Sequence, residues 1–266
     1  ADLEFCVEYR AAPMQRAAID PILKKTAAAI DAIESAWIHS KFRELMTDRA
    51  IVPHYQPIVL LDDPSIIIGY EALARSLVAG LESPKAMFEA AEQMAMEADL
   101  SRVCRQRAVE QALRLPRPHR IFLNTHPSEK LKDEVIPSLA ILREHMPDVN
   151  LVVEVHEGAV QDPKTMLRII AELKEIDVHV AYDDFAAGQS RLLELVKAPP
   201  TYLKFDRCLI SGLHEAPVHQ QKLIRTLTDI ARDFNTLSLG EGIETDLEAA
   251  ICKDLGMAYG QGYYFG

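Results

Sequence analysis

Ile66-Ile67-Ile68-Gly69-Tyr70-Glu71-Ala72-Leu73 is a short apolar run that carries one carboxylate, Glu71, near its trailing end. It reads as a strand with a polar group at its exit. The pattern recurs: Asn124, Glu154, the pair Asp183–Asp184, Lys204 and Glu241 each stand at or near the end of another apolar run. A parallel α/β barrel places polar groups this way, at the mouth of its strands, where the reacting atoms of such folds meet. Five carboxylates, an amide and an ammonium gathered at one mouth would repel one another unless divalent cations sat among them. The chain therefore reads as a metal-dependent enzyme.

Length and composition are compatible with that fold. At 266 residues, 48% of them hydrophobic, the chain suits one (β/α)8 barrel around a single large core. A net charge of −11 argues against a long polyanion as ligand, so neither DNA nor RNA is expected as a partner. A small phosphorylated ligand held by local metals is compatible with it. Cys6, Cys104, Cys208 and Cys252 are scattered, without a CxxC pair or partnered His spacing, and read as reduced thiols buried as small apolar residues. No apolar stretch approaches membrane-spanning length and the first residues lack a signal-peptide pattern. The expected location is cytoplasmic, either outright or as the cytoplasmic portion of a larger protein, with no membrane contact by this segment.

Residues 1–49 differ from the rest. Asp20-Pro21 is a helix-start signal, and Ile19, Leu23, Thr26, Ile30, Ile33 and Trp37 follow at helical spacing to form one stripe. The stripe fits a signalling helix that pairs with its twin in a dimer and couples an upstream sensory domain to the rest. It equally fits an amphipathic helix lying on its own domain. Over residues 50–266 strand-like runs alternate with helical patterns, as βα units do. Strands are expected near Ile51–Val59, Ile66–Leu73, Ile121–Asn124, Leu151–Val155, His179–Asp183, Tyr202–Phe205, Leu237–Gly240 and Met257–Tyr259. Helices are expected over Pro84–Ala98, Leu100–Leu113, Glu134–His145, Lys164–Ile176, Pro217–Phe234 and Asp246–Asp254, with Ser83-Pro84 and Asp162-Pro163 as start signals. The link Leu60–Ser65 is too short for a crossover helix. The expected fold is thus a modified TIM-type (β/α)8 barrel with one antiparallel strand, preceded by an N-terminal helix.

Tyr70-Glu71-Ala72-Leu73-Ala74-Arg75 resembles the signature of the EAL family of cyclic di-GMP phosphodiesterases. Its companions occur in order: Tyr55-Gln56-Pro57-Ile58, Asn124, Glu154-Val155-His156-Glu157, Asp183-Asp184-Phe185, Lys204-Phe205-Asp206, Glu241-Gly242-Ile243-Glu244-Thr245 and Gln261-Gly262-Tyr263-Tyr264-Phe265. The resemblance spans residues 50–266. It implies hydrolysis of cyclic di-GMP to linear pGpG by two Mg2+ or Mn2+ ions, as the output of a bacterial second-messenger signalling protein. Hard carboxylate and amide oxygens suit those ions better than zinc.

By the same resemblance, Glu71, Asn124, Glu154 and Asp183 would hold a first metal, and Asp183 would bridge to a second held by Asp184 and Glu241. Adjacent aspartates on a strand point to opposite faces, so both can join one cluster only if the strand ends or bends there. Lys204 would orient the attacking water, with Asp206, two residues on, as a candidate carboxylate partner. Glu241 could serve as ligand, general base or both. Gln56, Arg75 and Gln261 would bind the dinucleotide, the glutamines meeting a guanine edge and Arg75 forking onto a phosphate.

Glu157 matches the carboxylate that anchors the family's mobile loop after Asp183-Asp184-Phe185. That loop departs from the family here, with Ala186-Ala187 in place of the usual Gly-Thr. A second departure is His126 before Pro127, where the family commonly has Ser; His126 reads as a rim residue. The alternative function is a catalytically weak or inactive cyclic di-GMP receptor on the same fold.

Overall fold

Short runs rich in Val, Ile, Leu and Tyr favour extended chain, and the helices between them supply the crossovers that parallel pairing requires. The computed structural model describes residues 13–117, 120–156, 162–185 and 195–266, with backbone alone for residues 13–23 and Asp184. Among these, the strands are β1 (Ile51–Leu60), β2 (Asp63–Ser76), β3 (Arg120–Asn124), β4 (Asn150–Val155), β5 (Val178–Phe185), β6 (Tyr202–Phe205), β7 (Leu237–Gly240) and β8 (Tyr259–Gln261). They pair in chain order and close into a barrel. β1 is antiparallel to both β2 and β8, because only Leu61 and Asp62 separate it from β2. The other neighbours are parallel.

Among the described residues the α-helices include α1 (Pro13–Thr47), α2 (Pro84–Glu92), α3 (Glu97–Ala112), α4 (Ile136–His145), α5 (Pro163–Glu175), a short α6 (Arg207–Ile210), α7 (Val218–Asp233) and α8 (Asp246–Asp254). Ser83 and Asp162 act as expected at helix starts: Ser83 Oγ accepts from Ala86 N–H at 3.2 Å, and Asp162 accepts from Lys164 and Thr165 N–H. Thr245 and Glu248 close a reciprocal capping box on α8.

Some boundaries depart from the sequence reading. The helix expected over Pro84–Ala98 ends at Glu92, and Ala95 takes a left-handed φ of 52° that no helix continues through. The last strand lies two residues later than Met257–Tyr259. Met257 is buried with the residues packed between barrel and helices, so its apolar character marks packing rather than pairing. Among the described residues α1 runs from Pro13 to Thr47, so Pro21 falls in its interior rather than at its start. The cysteines also divide: Cys252 is buried, Cys104 half-buried and Cys208 exposed on the surface turn α6, while Cys6 lies outside the described residues.

Inside the barrel, Ile58, Phe122, Val152, Ala181, Tyr202 and Leu239 make one apolar layer. A larger cluster fills the space between the strands and the surrounding helices. The end of α1 is anchored by Phe42 and Leu45, which are buried with Val78, Leu81, Met87 and Leu100. Its earlier part is different, since Ile30, Ile33 and Trp37 are 49%, 69% and 47% exposed. Of these, Trp37 still lays its ring against Gly80.

Candidate metal and catalytic site

Side chains two apart on a strand share a face. Asn124, Glu154, Asp183, Lys204 and Glu241 each follow by two residues a member of the interior layer: Phe122, Val152, Ala181, Tyr202 and Leu239. They form the next tier, at the C-terminal mouth. Glu241 lies just past β7, its N–H still donating to Phe205 O at 3.0 Å. On antiparallel β1 the order reverses, so Gln56 precedes Ile58 and lies opposite Glu71 on β2. Gln261 follows the half-buried Tyr259 on β8 in the same rhythm.

The acidic side chains of this tier close on one ammonium. Lys204 Nζ lies 2.6 Å from Glu154 Oε1, 2.7 Å from Glu241 Oε1, 3.0 Å from Asp183 Oδ1 and 3.6 Å from Glu71 Oε2. Glu71 is held further: Asn124 Nδ2 donates to its Oε1 at 2.9 Å, and Gln261 Nε2 donates to its Oε2 at 2.5 Å. Gln261 Nε2 also donates to Gln56 Oε1 at 2.9 Å. Glu154 is wholly buried, Lys204 is 1% exposed and Gln261 4%. This is a largely buried, charged cluster at the top of an apolar barrel.

One positive charge against four carboxylates leaves a deficit, which raises proton affinity at Glu154 and Glu241. Burial drives the Glu154 carboxyl well above the usual carboxylate range; Glu71, Asp183 and Glu241 add to this while Lys204 opposes it. Burial likewise raises Glu241 to about 7, opposed by Lys204 and reinforced by Asp183 and Glu71. Burial alone would lower Lys204, but the carboxylates, Glu154 and Glu241 foremost, outweigh it and hold the ammonium well above its ordinary value.

The donor set fits hard divalent cations. It offers carboxylate and amide oxygens, and Glu154 Oε2 is buried without a hydrogen-bond partner among the described residues. Among the described residues no three His, Cys, Asp or Glu form a group arranged to hold a metal ion.

Other expectations fare differently. Asp206 is not the partner of Lys204: β6 ends at Phe205, and Asp206 turns away to cap α6, its Oδ1 accepting from Cys208 N–H at 2.7 Å. Pairing of β5 with β6 is irregular between Tyr182 and Phe185, the stretch containing Asp183 and Asp184, while the Asp184 side chain lies outside the described residues. Glu157 and the loop residues Ala186 and Ala187 lie outside the described residues. Arg75 donates to Ala74 O at 2.8 Å and lines, with Gln56, Arg207 and Tyr263, a cavity of about 360 Å3.

A second cavity of about 310 Å3 adjoins Glu71 and Asn124 and is walled by Phe88 and His126. Their rings stack at 4.8 Å with 3° between planes, which places His126 at a cavity rim. The sequence reading did not single out the buried pair Arg105–Glu129 beneath the β3 exit, nor His156, whose Nδ1 lies 4.0 Å from Asp183 Oδ2. His156 was within reach, since it sits two residues beyond Glu154. Arg105 and Glu129 carry no such sequence mark.

The EAL domain family profile matches residues 39–266. The chain is 30% identical over 238 residues to the bifunctional diguanylate cyclase/cyclic di-GMP phosphodiesterase MucR of Pseudomonas aeruginosa, covering 84% of this chain and 34% of that protein. It is 26% identical over 247 residues to the cyclic di-GMP phosphodiesterase PdeR of Escherichia coli, covering 87% of this chain and 36% of that one. It thus spans about a third of the length of these relatives. Among solved structures, a cyclic di-GMP complex of the PaMucR phosphodiesterase superposes with a TM-score of 0.74 at 26% identity, over 86% of this chain and 96% of the other. The FimX EAL domain of Xanthomonas citri shares the fold, with a TM-score of 0.77 at 20% identity over 88% of this chain and 94% of that one.

Proposed function

The chain belongs to the EAL domain family, and from that we propose that it is a phosphodiesterase that opens cyclic di-GMP to linear pGpG with divalent metal. One observation carries the reading: Glu71, Glu154, Asp183 and Glu241 converge within 3.6 Å of a single buried ammonium at the barrel mouth. Glu71, Asn124, Glu154, Asp183, Asp184 and Glu241 would hold two Mg2+ or Mn2+ ions. Bound divalent ions lower the pKa of water and offset charge on phosphate oxygens.

The chain's own groups do the rest. Lys204, fixed by its carboxylates, orients the attacking water through Nζ–H. Glu241, 2.7 Å from Lys204 Nζ, stands where it can take a proton from that water and release it. The water oxygen bonds to phosphorus, the P–O3′ bond of the ring breaks, and a proton passes to the departing oxygen. Gln56 meets the guanine edge and Arg75 a phosphate oxygen; Gln261, whose amide also donates to Gln56, steadies Glu71. The barrel works as a cytoplasmic homodimer and as the output of an upstream sensory domain.

The test is to incubate the purified protein with cyclic di-GMP and Mn2+, beside Glu71→Ala. Ring opening that vanishes in the variant supports the enzyme. Binding without turnover would make the chain a receptor on the same fold.

A further inference from the structure

Arg105 on α3 and Glu129 in the loop after β3 form an ion pair with side chains only 3% and 1% exposed. Burying two charges costs several kcal/mol each unless every polar contact is made. Here nearly all are. Glu129 accepts from Arg105 Nη1 at 2.7 Å, Arg105 Nη2 at 2.6 Å, Ser101 Oγ at 2.6 Å and His126 N–H at 2.9 Å. Its own N–H donates to His126 O at 2.9 Å, so this residue closes the turn from both ends. Arg105 Nη1 also reaches Asn124 O at 3.5 Å and Ser101 Oγ at 2.9 Å.

The held turn begins at Asn124. Thr125 Oγ1 donates to Glu154 O at 2.7 Å, tying the next residue to β4, and the Asn124 amide donates to Glu71. Asn124 is thereby fixed at its carbonyl, at its neighbour and at its side-chain nitrogen. Its side-chain oxygen, across the amide from the bonded nitrogen, is the atom that a ligand would meet.

We propose that Arg105 and Glu129 are positioning residues that hold the Asn124 side-chain oxygen in place as a metal ligand. This rests on the metal-dependent reading above. The pair touches neither substrate nor metal; its effect passes through the β3 exit. Outer groups that orient a ligand are commonly worth 10- to 100-fold in metal affinity.

Calorimetric titration of Mn2+ into the whole chain tests this without reference to turnover. Arg105→Lys keeps the charge but loses the fork, and Glu129→Gln keeps the shape. Each is expected to weaken Mn2+ binding by about 10-fold. Combined with Asn124→Ala, Arg105→Lys should add little to the loss caused by Asn124→Ala alone, because both act on one contact. Should either variant fail to fold, Ser101→Ala, which deletes one hydrogen bond to Glu129 and one from Arg105, is expected to weaken binding by a few-fold. Wild-type Mn2+ affinity in Arg105→Lys and Glu129→Gln, with loss in Asn124→Ala, overturns the positioning role alone. Full additivity in the double variant also overturns it. Unchanged binding in Asn124→Ala overturns it together with the metal reading.

Discussion

Lys204 Nζ lies 2.6 Å from Glu154 Oε1, with the lysine 1% exposed and the glutamate wholly buried, in one tier of a barrel whose next layer down is apolar. A lone buried carboxylate is not tolerated there, so the lysine and any added cation share one task.

That sharing makes the first prediction. Lys204→Met strips the ammonium from Glu154, Glu241 and Asp183 and should cost about 3–5 kcal/mol of stability in chelator. Adding Mn2+ should recover part of the lost melting temperature, to a larger extent than it stabilises wild type. Thermal melts with and without metal read both effects. A variant as stable as wild type in chelator would show that the pair is not needed to hold the cluster.

Glu241 sets a pH dependence. Its carboxyl sits at about 7 in the folded chain, against about 4.3 for an ordinary glutamate in an unfolded one. The folded state therefore binds more protons between these values, and stability falls as pH rises through that window. In chelator the melting temperature should decline from pH 5 to pH 7.5, with a contribution on the order of 3 kcal/mol from this group. Glu241→Gln should flatten the decline. Equal slopes in the two proteins would remove Glu241 as its source.

Gly262 follows Gln261 at a φ of +154°, and a Cβ there would meet Ile243 O at 2.1 Å and Ile243 N at 2.3 Å. Both are backbone, so neither can swing aside. Gly262→Ala should destabilise by more than the roughly 1–3 kcal/mol of ordinary backbone strain. It should also shift Gln261 off Glu71 and lower kcat at saturating Mn2+. Wild-type turnover in this variant would argue that Gln261 has no part in steadying Glu71.

The exposed Ile30 and Ile33 on α1 give a fourth expectation. If this stripe pairs with its twin in the dimer, Ile30→Glu with Ile33→Glu should shift sedimentation toward monomer and leave the melting of the barrel unchanged. An unaltered dimer would place the interface elsewhere.

How legible all this was depends on what each residue answers to. Asn124, Glu154, Lys204 and Glu241 stand out because each ends a run that is otherwise apolar, a local pattern readable without the fold. The antiparallel β1 follows from a link too short to cross over. β8 was misplaced because its centre, Gly260, is chosen for closeness: a Cβ there would come within 2.8 Å of Leu61 and 2.9 Å of Ile243, so no apolar side chain advertises the strand.

The partner of Lys204 was misread for a different reason. Asp206 is near in sequence, whereas Glu154 and Glu241 arrive only when the barrel closes. Arg105 and Glu129 stand 24 positions apart and look like ordinary surface charges until α3 is laid against the β3 exit.

Diffraction at the manganese absorption edge, from crystals grown with Mn2+ and cyclic di-GMP, tests the central claim most directly. The account predicts two anomalous peaks at the barrel mouth, at coordination distance from Glu71, Asn124, Glu154, Asp183 and Glu241. A map without a peak there, with Lys204 still closing the four carboxylates, would contradict it.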